Sequence, residues 1–204
     1  MGLISDIIEI VKKDKELFLA SNVFMFGFFL LGMIVGTAFP GIHDALENLI
    51  GQTLQSGTLS PIVETVQSGD IVLGALFIFA WNYFVATILT ASLPSLVFPP
   101  WILIKFGASS FVAGIVFAGR GGVTVGWLVG TIGTLLLEFE GYVVAIFASM
   151  RLLEAAIWPQ RFGETSRPKA YVKAIVDNAK LLLAAGAILL VAALYEAAAI
   201  ILLR

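Results

Sequence analysis

GTLLLEFEGYVVAIFASMRLLEAAIWP, residues 133–159, has the apolar background of a membrane helix but carries charges that a lipid-facing helix could not hold. Glu138, Glu140, Arg151 and Glu154 leave only Gly141–Met150 free of charge. Ten helical residues rise about 15 Å, against a hydrocarbon core about 30 Å thick. A charge at a helix centre costs about 2.5–3.5 kcal/mol even on the lenient insertion scale, so these side chains must face protein or water. At about 100° per residue, Glu140, Val144, Phe147, Arg151 and Glu154 fall within about 40° of one stripe, and Glu138 points roughly opposite Glu140. One inward stripe is therefore expected. Arg151 and Glu154, spaced i, i+3, are expected to pair at the helix end, where arginine also snorkels.

The rest of the chain supports a membrane setting. It is 59% hydrophobic and 13% charged, with a mean hydropathy of +1.00, whereas a soluble domain carries about a quarter charged residues. A net charge of −2 gives no basic field for nucleic acid. The absence of cysteine excludes disulfides and thiolate chemistry, and the single histidine, His43, excludes a His–His metal pair. No cofactor is expected, and nothing supplies a nucleophile or metal cage for an enzyme.

Apolar runs and prolines divide the chain into spans near 17–39, 71–92, 98–118, 138–158 and 177–202, with residues 1–204 forming one integral membrane domain. Residues 123–158 are too long for one span and short for two. Lysine and arginine placement decides the matter. With the N-terminus cytoplasmic, Lys12, Lys13, Lys15, Arg151, Arg161, Arg167, Lys169, Lys173 and Lys180 collect inside, with Lys105 able to snorkel there. Only Arg120 and Arg204 fall outside. Two crossings within 123–158 would invert the basic 161–173 loop, against the positive-inside rule. The expectation is an all-α bundle with five net spans, a short re-entrant or broken segment near 123–136, and the C-terminus outside. Amphipathic helices are expected near 3–13 and 42–55, and Ser60-Pro61 reads as the cap and first position of another short helix.

Several motifs could carry chemistry. AGRGGVTVG, 118–126, lacks the P-loop lysine and reads as a tight turn. Gly32–Gly36 and Gly126–Gly130 are small-xxx-small pairs that mark packing faces and suit a homodimer or larger oligomer. His43, Asp44 and Glu47 cluster in the outer loop, as sets on solvated helix faces often do. Asn82, halfway along the second span, suits an inter-helix hydrogen bond or part of a polar path. In the last span Glu196, Leu189, Ala185 and Asn178 share a face of small residues, which points inward.

FAWNYFVATIL (79–89), LLLEFEGYVVA (135–145) and LLVAALYEAAAII (189–201) together resemble the stage II sporulation protein M family of integral membrane proteins. The resemblance covers roughly residues 71–203. It implies a span containing asparagine, a His-Gly-x-x-Glu-like motif opening a helix, and a final Ala-rich helix with glutamate. The matching positions are Asn82, one of Glu138 or Glu140, and Glu196; Thr134 or Leu136 stands where the family's histidine would fall. The family's namesake resembles a scaffold for peptidoglycan-degrading partners, which implies a non-enzymatic scaffold or assembly factor here. The alternative is a small channel or transporter whose intramembrane carboxylates line an ion, proton or solute path.

Overall fold

The structure, a computed structural model, describes residues 2–56, 64–65, 68–118 and 125–202, and among these there is no strand. Seven helices organise them: α1 (Leu3–Lys13), α2 (Lys15–Ala38), α3 (Pro40–Ser56), α4 (Ile71–Ser95), α5 (Trp101–Phe117), α6 (Val125–Ile157) and α7 (Arg167–Leu202). By length and apolar character α2, α4, α6 and α7 can each cross a membrane. α5 is a shorter apolar helix of 17 residues, rising about 26 Å, at the lower limit for a span. The result is an all-α, multi-pass membrane bundle.

One expected feature changes. Residues 125–136 are not a re-entrant or broken element; they continue without interruption into the 33-residue α6. No break is needed, because Glu138 finds its partners inside the bundle. α7 also starts ten residues before the expected 177, and α4 runs past 92 to Ser95. Ser60-Pro61, residues 119–124 of the glycine-rich stretch, with Arg120, and Arg204 lie outside the described residues.

The helices alternate in direction. Lys13 Nζ donates to the Arg161 carbonyl at 2.9 Å, placing the start of α2 beside the α6–α7 connection at one, basic, end of the bundle. Tyr171 Oη donates to the Leu96 carbonyl at 2.7 Å, so α4 finishes at that same end. α5 then runs away from it alongside α2, α6 returns, and α7 leaves again. The α6–α7 turn closes on Gly163, whose left-handed φ of 72° spares a side chain the strain.

Two packing devices hold the bundle. α2 and α5 touch backbone to backbone: a Cβ on Gly32 would stand 2.0 Å from the Phe111 carbonyl oxygen, and one on Gly114 2.0 Å from that of Phe29. Ser110 Oγ donates to the Met25 carbonyl at 2.7 Å across the same seam. The Gly32–Gly36 face is thus used within the chain. Between α2 and α6 the packing is aromatic, with Phe29 edge-on to Phe139 at 5.4 Å and Phe18 edge-on to Phe147 at 5.6 Å. From Gly141 to Ser149, α6 is buried almost all round, with α7 on one side and α2 and α5 on the other.

The amphipathic helices sit at opposite ends. α1 turns Ile7, Ile10 and Val11 onto the α6–α7 hairpin and leaves Leu3, Ile4 and Ile8 exposed. α3 follows α2 at the far end.

Gly114→Ala should lower the thermal unfolding midpoint in detergent micelles, consistent with an overpacking cost of about 1–3 kcal/mol. Gly27→Ala, where a Cβ meets nothing within 4 Å, should leave the midpoint unchanged or slightly higher. Equal behaviour of the two variants would contradict the α2–α5 seam.

Candidate functional site

α4 is wound unusually. Ala80–Ser92 is π-helical, a conformation that is rare and often found at functional sites. Pro94 has no N–H to give the carbonyl of Thr90, and the Trp101 indole donates there instead at 2.8 Å. Asn82 lies near the start of this segment and its Nδ2 donates to Glu138 Oε1 of α6. Glu196 of α7 presses its carboxyl against that of Glu138. Side chains lean toward their own helix N-terminus, so on antiparallel α6 and α7 the two carboxyls lean toward each other. Tyr142, one turn along from Glu138, lies within electrostatic reach of both and stacks on Phe106 at 4.7 Å.

Three of the four expected intramembrane residues therefore meet: Asn82, Glu138 and Glu196. Glu140 does not join them. It is half-buried and, among the described residues, makes no hydrogen bond or ion pair. A single protein-facing side would put Glu140 inward and Glu138 away, whereas α6 is central and meets protein on both sides.

A second cluster closes the basic end. Arg151 and Glu154 do not pair with each other, as their spacing suggested. Arg151, only 3% exposed, pairs with Asp14 at the α1–α2 junction and with Asp177 of α7 at 2.7 Å. Glu154 pairs with Arg161 of the α6–α7 turn, and Arg161 also reaches Asp14 at 3.2 Å. Each long guanidinium group spans to neighbouring elements and bridges two carboxylates, Arg151 those of Asp14 and Asp177 and Arg161 those of Asp14 and Glu154. Phe147 and Phe162 flank the Arg151 guanidinium, 5.8 and 5.1 Å from their ring centroids. Asp14, Asp177 and Arg161 escaped the sequence reading, in which they look like solvated residues of polar connectors.

Asp6 of α1 binds Lys180 of α7 at 2.6 Å. That hydrogen bond holds the Asp6 carboxyl below its ordinary value of 3.8. A depressed carboxyl contributes its stability above the unfolded value and loses it as pH falls through the folded one. In α3, His43 Nδ1 lies 3.2 Å from Asp44 Oδ1, and no group of three His, Cys, Asp or Glu side chains suited to a metal ion occurs among the described residues.

Comparison with family models, with curated proteins and with solved structures gave no match.

Arg151→Met should destabilise the bundle by about 3–5 kcal/mol, because Asp177 loses its ion-pair partner and buried Asp14 is left with Arg161 alone. Arg161→Met, at a side chain 49% exposed, should cost much less. Comparable losses in micelle unfolding would contradict the central place of Arg151. On acidification below the usual carboxylate range, a fluorophore on α1 should report release of the helix. Asp6→Asn should shrink that acid-induced change, with α1 still held at neutral pH by Ile7, Ile10 and Val11.

Proposed function

We propose that this protein is a non-enzymatic membrane scaffold or assembly factor of the kind that the resemblance to stage II sporulation protein M implies. The observation that carries this reading is the locking of the bundle: Arg151 ties the α1–α2 junction to α6 and α7, while glycine contacts forbid sliding of α2 on α5. A body so fixed suits the holding of partners better than the rocking of one half against the other. In this reading it associates in the bilayer as a homodimer or larger assembly, through surfaces other than Gly32–Gly36. Its basic end is cytoplasmic, in keeping with the positive-inside rule. Crosslinking in native membranes should give adducts larger than the monomer, and monomer alone would count against the scaffold. Reporters fused after Arg204 and inserted at Gly163 should report opposite sides of the membrane; the same side for both would refute five crossings.

A second reading has its own support in the Glu138–Glu196 pair held by Asn82 on the π-helical segment. Two carboxyls in contact cannot both stay ionised cheaply and so share a proton or a cation, which suits a small channel or transporter. Glu138→Gln keeps an acceptor for Asn82 in either case. Under the scaffold reading it leaves fold and association unchanged, and proteoliposomes conduct no more than empty vesicles. Under the transport reading the wild type conducts and the variant does not.

A further inference from the structure

Polar groups buried in an apolar bundle need partners, since an unmatched one keeps the full cost of leaving water. Ser92 Oγ, Ser149 Oγ, Asn178 Nδ2 and Arg151 Nε have none within the protein among the described residues, although each of these residues is 3% exposed or less. They come from α4, α6 and α7 and form a layer toward the basic end of the bundle. α4 and α6 run parallel: Asn82 bonds Glu138, and further along Leu96 packs on the cluster that contains Leu152. Ser92 lies between those two contacts, nearer the second, on the side of the bundle's length that holds Ser149. α6 and α7 run antiparallel, with Tyr195 beside Gly133, Leu189 beside Gly141 and Asp177 on Arg151. That register sets Asn178 level with Met150.

The winding of α4 joins this layer to the carboxyl pair. In a π-helix, residues five apart take roughly the places that residues four apart take in an α-helix. Asn82, Thr87 and Ser92 therefore form one stripe, whereas α-helical winding would turn each about 140° from the last. Asn82 holds Glu138 at one end. Thr87, fully buried, donates to the Asn82 carbonyl at 2.7 Å. Ser92 reaches the unpartnered layer at the other.

We propose that this stripe lines a narrow water-filled lane that carries protons between the basic end of the bundle and the Glu138–Glu196 carboxyls. Buried water needs two to four polar partners, and the layer offers hydroxyls that donate or accept beside the donors of Asn178 and Arg151. In each hop one O–H bond forms as the next breaks. A proton entering at the basic end thus leaves one on an oxygen of Glu138 or Glu196, and no other charge moves. The groups facing the pair are Asn82 from α4 and Tyr142 from α6; Tyr142 stacks in turn on Phe106 of α5, whose ring centroid lies 5.3 Å from the Lys105 ammonium. Arg151, Asp14 and Asp177 form the mouth of the lane. The inference deepens the transport reading by naming the proton, yet it requires only exchange with the pair and no net flux.

The test is infrared difference spectroscopy of the full chain in oriented vesicles, with Glu138→Gln assigning the carboxyl band. After a pH drop on the basic-end side alone, the protonated band should grow; in Ser92→Ala and Thr87→Val it should grow at least tenfold more slowly. A band that follows only a far-side drop, or that keeps its wild-type rate in both variants, overturns the lane. Prompt basic-side protonation without flux would keep the lane and defeat the transport reading. A measurement free of variants is water-edited solid-state NMR in bilayers. Ser92 and Ser149 should take up water magnetisation much faster than Val143, which is fully buried; uptake as slow as that of Val143 also overturns the proposal.

Discussion

A charge inside hydrocarbon must find its counterpart within the protein, and the central helix α6 carries that demand at two depths. At the basic end Arg151 meets Asp14 and Asp177, which recruits the α1–α2 junction and α7 to the same point. Nearer the far end Glu138 meets Asn82 and Glu196, which recruits α4 and again α7. Removing one partner of such a set strands the others, so the pairing specifies neighbours as well as depth. The long α6–α7 hairpin is the axis, and α1, α2 and α4 take positions that its charges dictate.

Packing does the complementary work where charge is absent. α5 carries no ion pair to α6 or α7 among the described residues, and it is placed instead by glycine against carbonyl on α2 and by Ser110 on Met25. The Phe29–Phe139 and Phe18–Phe147 contacts then join that α2–α5 pair to the hairpin. In lipid, where apolar burial between helices adds little, close backbone approach of this kind is a main source of association. The outward faces, including Leu19, Val23, Ile34 and Leu183, remain apolar and exposed, as a lipid-facing surface requires.

Helix number and most boundaries were legible because apolar runs, lysine placement and prolines act locally; α1 begins and ends at the expected residues. The charges of α6 face protein at Glu138, Arg151 and Glu154, as their cost in lipid requires, but the glutamate that meets α4 and α7 is Glu138 and not the expected Glu140. A helical wheel separates inside from outside only when one side meets lipid, and around Glu138 both sides of α6 meet helices. The partners of Arg151 were hidden for another reason: Asp14 lies in a run of lysines and Asp177 at a span's edge, so each reads as solvated until tertiary contact brings them together. The π-helical winding of α4 leaves no periodic trace in FAWNYFVATIL, although Pro94 marks where an α-helical ladder would fail. The expected resemblance named Asn82, Glu196 and one of Glu138 or Glu140; the glutamate that Asn82 meets is Glu138.

That distinction is also the most direct point of attack, since the chain contains no cysteine to confuse the result. Paired cysteines at positions 82 and 138, oxidised in native membranes, should form an intramolecular disulfide detectable by mass spectrometry after proteolysis. The pair at 82 and 140 should not. Crosslinking through 140 in place of 138, or through neither, would contradict the convergence of α4, α6 and α7 on Glu138.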